Sequence, residues 1–245
     1  MIRFIVAAAI FSQLILQAPV SASTPGQTAL EPDVLKRTEN RYKLEDILVE
    51  TIGADGQAYY SISFSVLDYY LFMRIAPQTR DYPVTFNSTE QREAIEFELK
   101  SIIYLLNLMI ENSGPAAEIL WRLGYANSLA CHLDFPGSYD RADALFERLL
   151  QIYPDHPRGN YYYGMFLSGK AVKNKSSIPY LLKSAQMGID DGLYAVGLIY
   201  LTHQNTEEAL VYLNRYLKKH PKHEKTRQII KQIKDQEANH NIAPN

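Results

Sequence analysis

The sequence predicts an all-α protein built mainly from stacked helical hairpins, and three observations carry that prediction. Apolar residues keep helical spacing through most of the stretch from residue 42 to residue 235. A glycine recurs at Gly124, Gly164 and Gly197, and each glycine is followed downstream by a second apolar set at helical spacing. A helix–turn–helix unit returning about every 34 residues is the mark of stacked hairpins, because one hairpin alone buries only part of its apolar surface.

Composition narrows the class. The chain has 245 residues, 47% of them hydrophobic and 21% charged, with 25 Lys+Arg against 27 Asp+Glu. Collagenous and low-complexity classes are excluded, and the near-zero balance argues against a nucleic acid or other polyanion as partner of the chain as a whole. Cys131 is the only cysteine, so no intrachain disulfide can form and the core must carry the fold. Its place in an apolar helical stretch predicts a buried, inert thiol.

The elements follow in order. Arg3, an apolar run from Phe4 to Leu16 too short to span a bilayer, Pro19 and the small-residue site Val20-Ser21-Ala22 predict a secretory signal peptide over residues 1–22. An exported chain beginning at Ser23, periplasmic or secreted, is therefore expected, with no transmembrane span in the mature form. Residues 23–40 mix Ser, Thr, Pro, Gly and charge without period and predict a flexible leader. An N-terminal helical region is expected over 41–114. Leu44, Ile47, Leu48 and Ile52 keep helical spacing, and Asp55-Gly56 is a turn signal. Tyr60, Ile62, Phe64 and Val66 alternate with serines, as in a strand after a hairpin turn. Yet Tyr59, Ile62, Val66, Tyr69 or Tyr70 and Met73 recur at helical spacing, which favours a helix over 57–75. Pro77 and Pro83 bracket a loop. Ser88 with Gln91 has the form of a capping box before the helix that ends at Ser113-Gly114-Pro115.

From residue 115 to residue 235 the chain repeats itself. Leu120, Asn160 and Leu193 stand four residues before the three glycines, and Ala142-Phe146-Leu149, Ile178-Leu182-Ala185 and Ala209-Leu213-Tyr216 form the downstream sets. Pro154 and Pro221 close two of the three units. These residues resemble the tetratricopeptide repeat (TPR) family. Leu193, Val196, Gly197, Tyr200, Ala209, Leu213 and Pro221 match best, the first unit carries six extra residues around Asp134-Phe135-Pro136, and the second carries two extra before Ile178. The ending Ser184-Ala185-Gln186-Met187-Gly188 resembles a Sel-type repeat. The resemblance implies a right-handed solenoid of helical hairpins with an N-terminal helical extension. A capping helix is expected to end at residue 235, with Ile229, Ile230 and Ile233 inward, and 236–245 to form a disordered tail.

Most chemistry motifs fail on spacing. Gly164-x-x-x-x-Gly169-Lys170 approximates a phosphate-binding loop, but Ala171 replaces the hydroxyl residue that would hold magnesium, and the segment continues a helix. His220 and His223 have a ligand-like gap interrupted by Pro221, with no third ligand at metal spacing. Cys131 and His132 project about 100° apart on a helix, wrong for a nucleophile and its base. Asp190-Asp191 read as caps of a helix N-terminus. No cofactor, metal or catalytic residue is expected.

One constellation survives. Trp121, Tyr161 and Tyr194 stand three residues before the glycines and Tyr125, Met165 and Leu198 one residue after, each pair on one helix face, with Tyr162 at the edge. The family resemblance implies that these columns line a concave groove for another protein or a peptide segment, and the expected function is a non-catalytic adaptor or assembly factor. The groove fails if residues 42–112 fold over the stripe and use it as core. Two other classes remain: an enzyme with its site in 57–112, and a polyanion-binding envelope protein using the eight Lys and Arg between Arg215 and Lys234.

Overall fold

The computed structural model describes residues 43–54, 56–79, 82–169 and 176–242. The expected signal peptide, the leader and Lys170-Ala171 of the approximate phosphate loop lie outside the described residues. The chain divides into two compact units, residues 1–145 and 146–245.

The first unit opens with a 3-10 turn, Leu44–Ile47, and an antiparallel hairpin of β1 (Leu48–Ile52) and β2 (Ala58–Ile62), with Leu48 opposite Ile62 and Ile52 opposite Ala58. This corrects the helix expected over 57–75 and the helical reading of 44–52. The alternation of Tyr60 and Ile62 with Ser61 was a strand period. Gly56, at a φ of 75°, turns the chain at a conformation that side-chain-bearing residues rarely adopt. The helical spacing that competed with it belongs to the next element, α1, which begins only at Phe64.

In α1 the chain is α-helical over Phe64–Asp68, π-helical over Tyr69–Ile75 and α-helical again over Ala76–Thr79. Pro77 has no N–H to return to the preceding turn, and just before it the helix widens, so that the Ala76 N–H reaches back to the Leu71 carbonyl. The long helix α2 (Thr89–Ser113) starts as its sequence requires: the Ser88 hydroxyl accepts the Gln91 N–H at 3.2 Å. The return bond of the capping box is displaced by one residue, from the Asn87 N–H to the Gln91 side chain at 2.7 Å. Gly114, at a φ of 80°, ends it.

Leu67, Leu71 and Ile75 of α1, Leu99, Ile102 and Leu106 of α2, and Leu123, Ala126 and Leu129 of α3 (Ala117–His132) form one apolar core. This packing is why the compact units part inside α4 (Ser138–Ile152) and not at residue 114, where the sequence alone divides the chain. The leading helix of the first repeat is part of the N-terminal core. Cys131 is buried there.

The second unit is a stack of helical hairpins: α5 (Pro157–Gly169) with α6 (Ile178–Gln186), α7 (Asp191–Thr202) with α8 (Thr206–Lys219), and α9 (Glu224–Ile242) against α8. α9 runs on to Ile242, past residue 235, so most of the expected disordered tail is helix. Ile230 and Ile233 are buried beside Leu213, as their spacing predicts.

Glycines set the approach of the helices. A Cβ on Gly197 would lie 2.7 Å from the Leu213 side chain, and one on Gly164 2.7 Å from Leu181. The partner of Gly197 is thus Leu213, and in the second unit Leu181, not Leu182, fills the bulky position. Shifting that register by one residue puts Ser177 and Ser184, both buried, where small residues belong. Two glycines that the sequence reading passed over, Gly159 and Gly192, do the same between successive hairpins. A Cβ on Gly159 would meet Leu149 at 2.6 Å, and one on Gly192 would collide with the Leu181 carbonyl and the Ser184 hydroxyl.

Candidate functional site

The aromatic stripe is not one surface. In the first unit Trp121 is fully buried, with Phe72 of α1 stacked on it at 6.1 Å and on Tyr125 at 5.0 Å. The Trp121 indole N–H donates to Glu118 at 3.0 Å, so its one polar atom is satisfied internally. Trp121 is therefore core, and the groove expectation is corrected there: the π-helical part of α1 occupies the place of a ligand.

In the second unit the two columns are less deeply buried than Trp121. Tyr161 and Met165 stand on α5, Tyr194 and Leu198 on α7, and these two helices lie against each other. Met165 is 40% exposed, while Tyr161, Tyr162, Tyr194 and Leu198 are half-buried. Tyr161 meets Tyr162 edge to face at 5.2 Å and also packs on the cluster of Leu181 and Val196. Tyr194 is a wedge, 5.3 Å from the Tyr216 ring and 5.5 Å from His223. Its hydroxyl is shielded from solvent and has no hydrogen-bond partner among the described residues.

Tyr216 and the Asp190-Asp191 pair are members of this site that sequence reasoning missed. Tyr216 stands where the first unit has Leu149 and the second, in its corrected register, Ser184, and its hydroxyl donates to Asp191 at 3.1 Å. Asp190 accepts from Lys219 at 2.6 Å and lies 3.3 Å from His220. Neither acid caps α7 with its side chain; together they tie the start of α7 to the end of α8, correcting the cap reading.

Burial, and then the nearby Asp191 charge, push the Tyr161 hydroxyl up to about 12. The same two causes raise Tyr216, where the hydrogen bond to Asp191 adds to them. These phenols stay neutral at physiological pH, as hydrogen-bonding and packing groups. They are poor proton-transfer groups.

The remaining candidate residues are engaged elsewhere. His220 stacks on Tyr216 at 4.5 Å, and the ring of His223 sits 2.7 Å from the Thr226 hydroxyl at the start of α9. In 57–112, Glu98 accepts from Arg74 through both carboxylate oxygens at 2.7 Å, and Asp68 is gripped by the buried Arg122 at 2.6 and 2.8 Å. Both carboxylates are committed to guanidinium groups in a structural role. Of the basic residues toward the C-terminus, Lys219 pairs with Asp190, Arg227 with Glu224, and Arg215 lies over the Tyr212 ring at 5.4 Å. No helix among the described residues is long and apolar enough to cross a membrane.

Residues 118–156 and 191–223 match the tetratricopeptide repeat family model. The unit between them, including the ending that resembles a Sel-type repeat by sequence alone, lies outside the match. No curated protein and no solved structure matches the chain.

Proposed function

We propose, from the premise that this chain carries tetratricopeptide repeats, that it is an exported, non-catalytic adaptor or assembly factor. It binds a segment of another protein on the second unit, across α5 and α7. One observation carries this reading: Trp121 is fully buried under Phe72 in the first unit, whereas its counterparts Tyr161 and Tyr194 in the second are half-buried and Met165 is exposed beside Leu198. Such residues supply large contact area at low rotamer cost.

Export rests on the order of Arg3, the apolar run and Val20-Ser21-Ala22. N-terminal sequencing of protein from its natural host is expected to begin at Ser23, and intact Met1 on the mature protein would remove the claim. The binding reading is tested by crosslinking in the native compartment through a photoreactive residue placed at Met165. A discrete protein adduct is expected there and not from a control placed at exposed Gln228 on α9; adducts of equal yield at both positions would contradict it.

A further inference from the structure

The hairpin of the first unit leaves one strand edge exposed, apart from the repeat columns. Along β1 every residue is exposed, including Leu48 at 41%, Val49 at 42% and Ile52 at 63%. Its backbone polarity is fixed by two bonds that flank the ladder: the Ser63 N–H donates to the Ile47 carbonyl and the Gly53 N–H to the Gln57 carbonyl, both at 2.8 Å. Together with the register Leu48 to Ile62, these place the odd-numbered residues of β1 in the bonded pairs with β2. The even-numbered residues therefore turn their free groups to the outer edge. The Leu48 N–H is taken by the Glu45 carbonyl of the preceding turn. The Leu48 carbonyl, both backbone groups of Glu50 and the Ile52 N–H have no partner among the described residues.

Side chains alternate along a strand, so Leu48, Glu50 and Ile52 share one face, with an acid between two exposed aliphatics. An open edge with apolar side chains is a template for strand addition, and natural edges are usually blunted by Lys, Pro or a bulge. β1 has no Lys, Pro or bulge, and its one charge is Glu50. A second copy fits poorly, because full antiparallel overlap of β1 with itself sets Glu50 against Glu50.

We propose that β1 is a docking edge that takes an extended segment of another protein as a third strand, with a Lys or Arg opposite Glu50 and aliphatic residues two positions to either side. Backbone bonds to Glu50 give the affinity, and the carboxylate between Leu48 and Ile52 gives the selectivity.

The test uses the full mature chain and two capped synthetic peptides, Thr-Val-Thr-Lys-Thr-Val-Thr and its Glu-centred counterpart. The Lys peptide is expected to bind at least tenfold tighter. Glu50→Pro deletes an outward N–H that no ladder bond uses, so it should abolish binding with the hairpin intact by NMR. Glu50→Lys should invert the peptide preference, and keeps the test decisive if the proline variant unfolds the hairpin. Equal affinity for both peptides, no binding of either, or wild-type affinity in Glu50→Pro would overturn the proposal. So would a wild-type dimer that Glu50→Pro dissociates, which would make the occupant a second copy.

Discussion

At the scale of single residues, the tyrosines around Asp191 separate packing from pairing. Tyr194 and Tyr216 are neighbours, but only Tyr216 has a partner for its hydroxyl. Leaving a shielded hydroxyl unpaired costs free energy, so Tyr194→Phe is expected to raise stability by about 1 kcal/mol. Tyr216→Phe forfeits a bond to a charged acceptor and should lower it by about 1.5 kcal/mol. Urea unfolding of the two variants checks the contrast; equal shifts of one sign would refute it. Tyr161 predicts a pH effect. Its folded-state pKa, raised to about 12, lies above the ordinary tyrosine value of about 10, so the folded state holds that proton more tightly. The contribution is fully present below pH 10 and is lost as pH rises through about 12. Tyr161→Phe should flatten the alkaline fall in melting temperature across that window; an unchanged fall would assign it to other groups.

At the scale of elements, the contest is between helix propensity and close approach. Replacing a helical glycine by alanine gains about 1 kcal/mol of propensity. At Gly169 nothing among the described residues lies within 4 Å of the added methyl, so Gly169→Ala should be neutral or slightly stabilising. At Gly192 the methyl meets the Leu181 carbonyl, backbone that cannot swing aside, and overpacking of roughly 1–3 kcal/mol should outweigh the gain. Gly192→Ala is thus predicted to lower the melting temperature where Gly169→Ala does not. Trp121 belongs to this scale too, because α1 exists in part to cover it. Trp121→Ala should cost about 3–5 kcal/mol in thermal or urea unfolding, as truncation of a buried aromatic does. A near-unchanged midpoint would mean that the Phe72 stack is open in solution.

At the scale of the whole molecule, the repeats were legible because their signal is local and reiterated. Ala142 with Phe146 and Leu149, and the inward isoleucines of α9, follow from spacing alone. The second repeat was read one residue out of register because its inserted residues fall between helices, where no period constrains them. The hairpin was missed for a different reason. Its strands are five residues each and abut a real helix, so helical periodicity bled backward across Phe64. The candidate site was half legible. Which positions form the columns can be read from the glycines, but which columns are covered depends on Phe72, far away in the chain and unmarked by any repeat.

The central claim is that the uncovered columns of the second unit bind a protein segment. The most direct measurement is the affinity of the chain for the protein crosslinked at Met165, with the wild type compared to a double variant carrying Met165→Glu and Leu198→Ala. Because Met165 is 40% exposed and Leu198 half-buried, the melting temperature should fall by only a few degrees. Affinity should fall about thirtyfold or more, the loss of roughly 2 kcal/mol that removal of a true anchor produces. Wild-type affinity in a folded double variant would contradict the claim and place the binding surface outside α5 and α7.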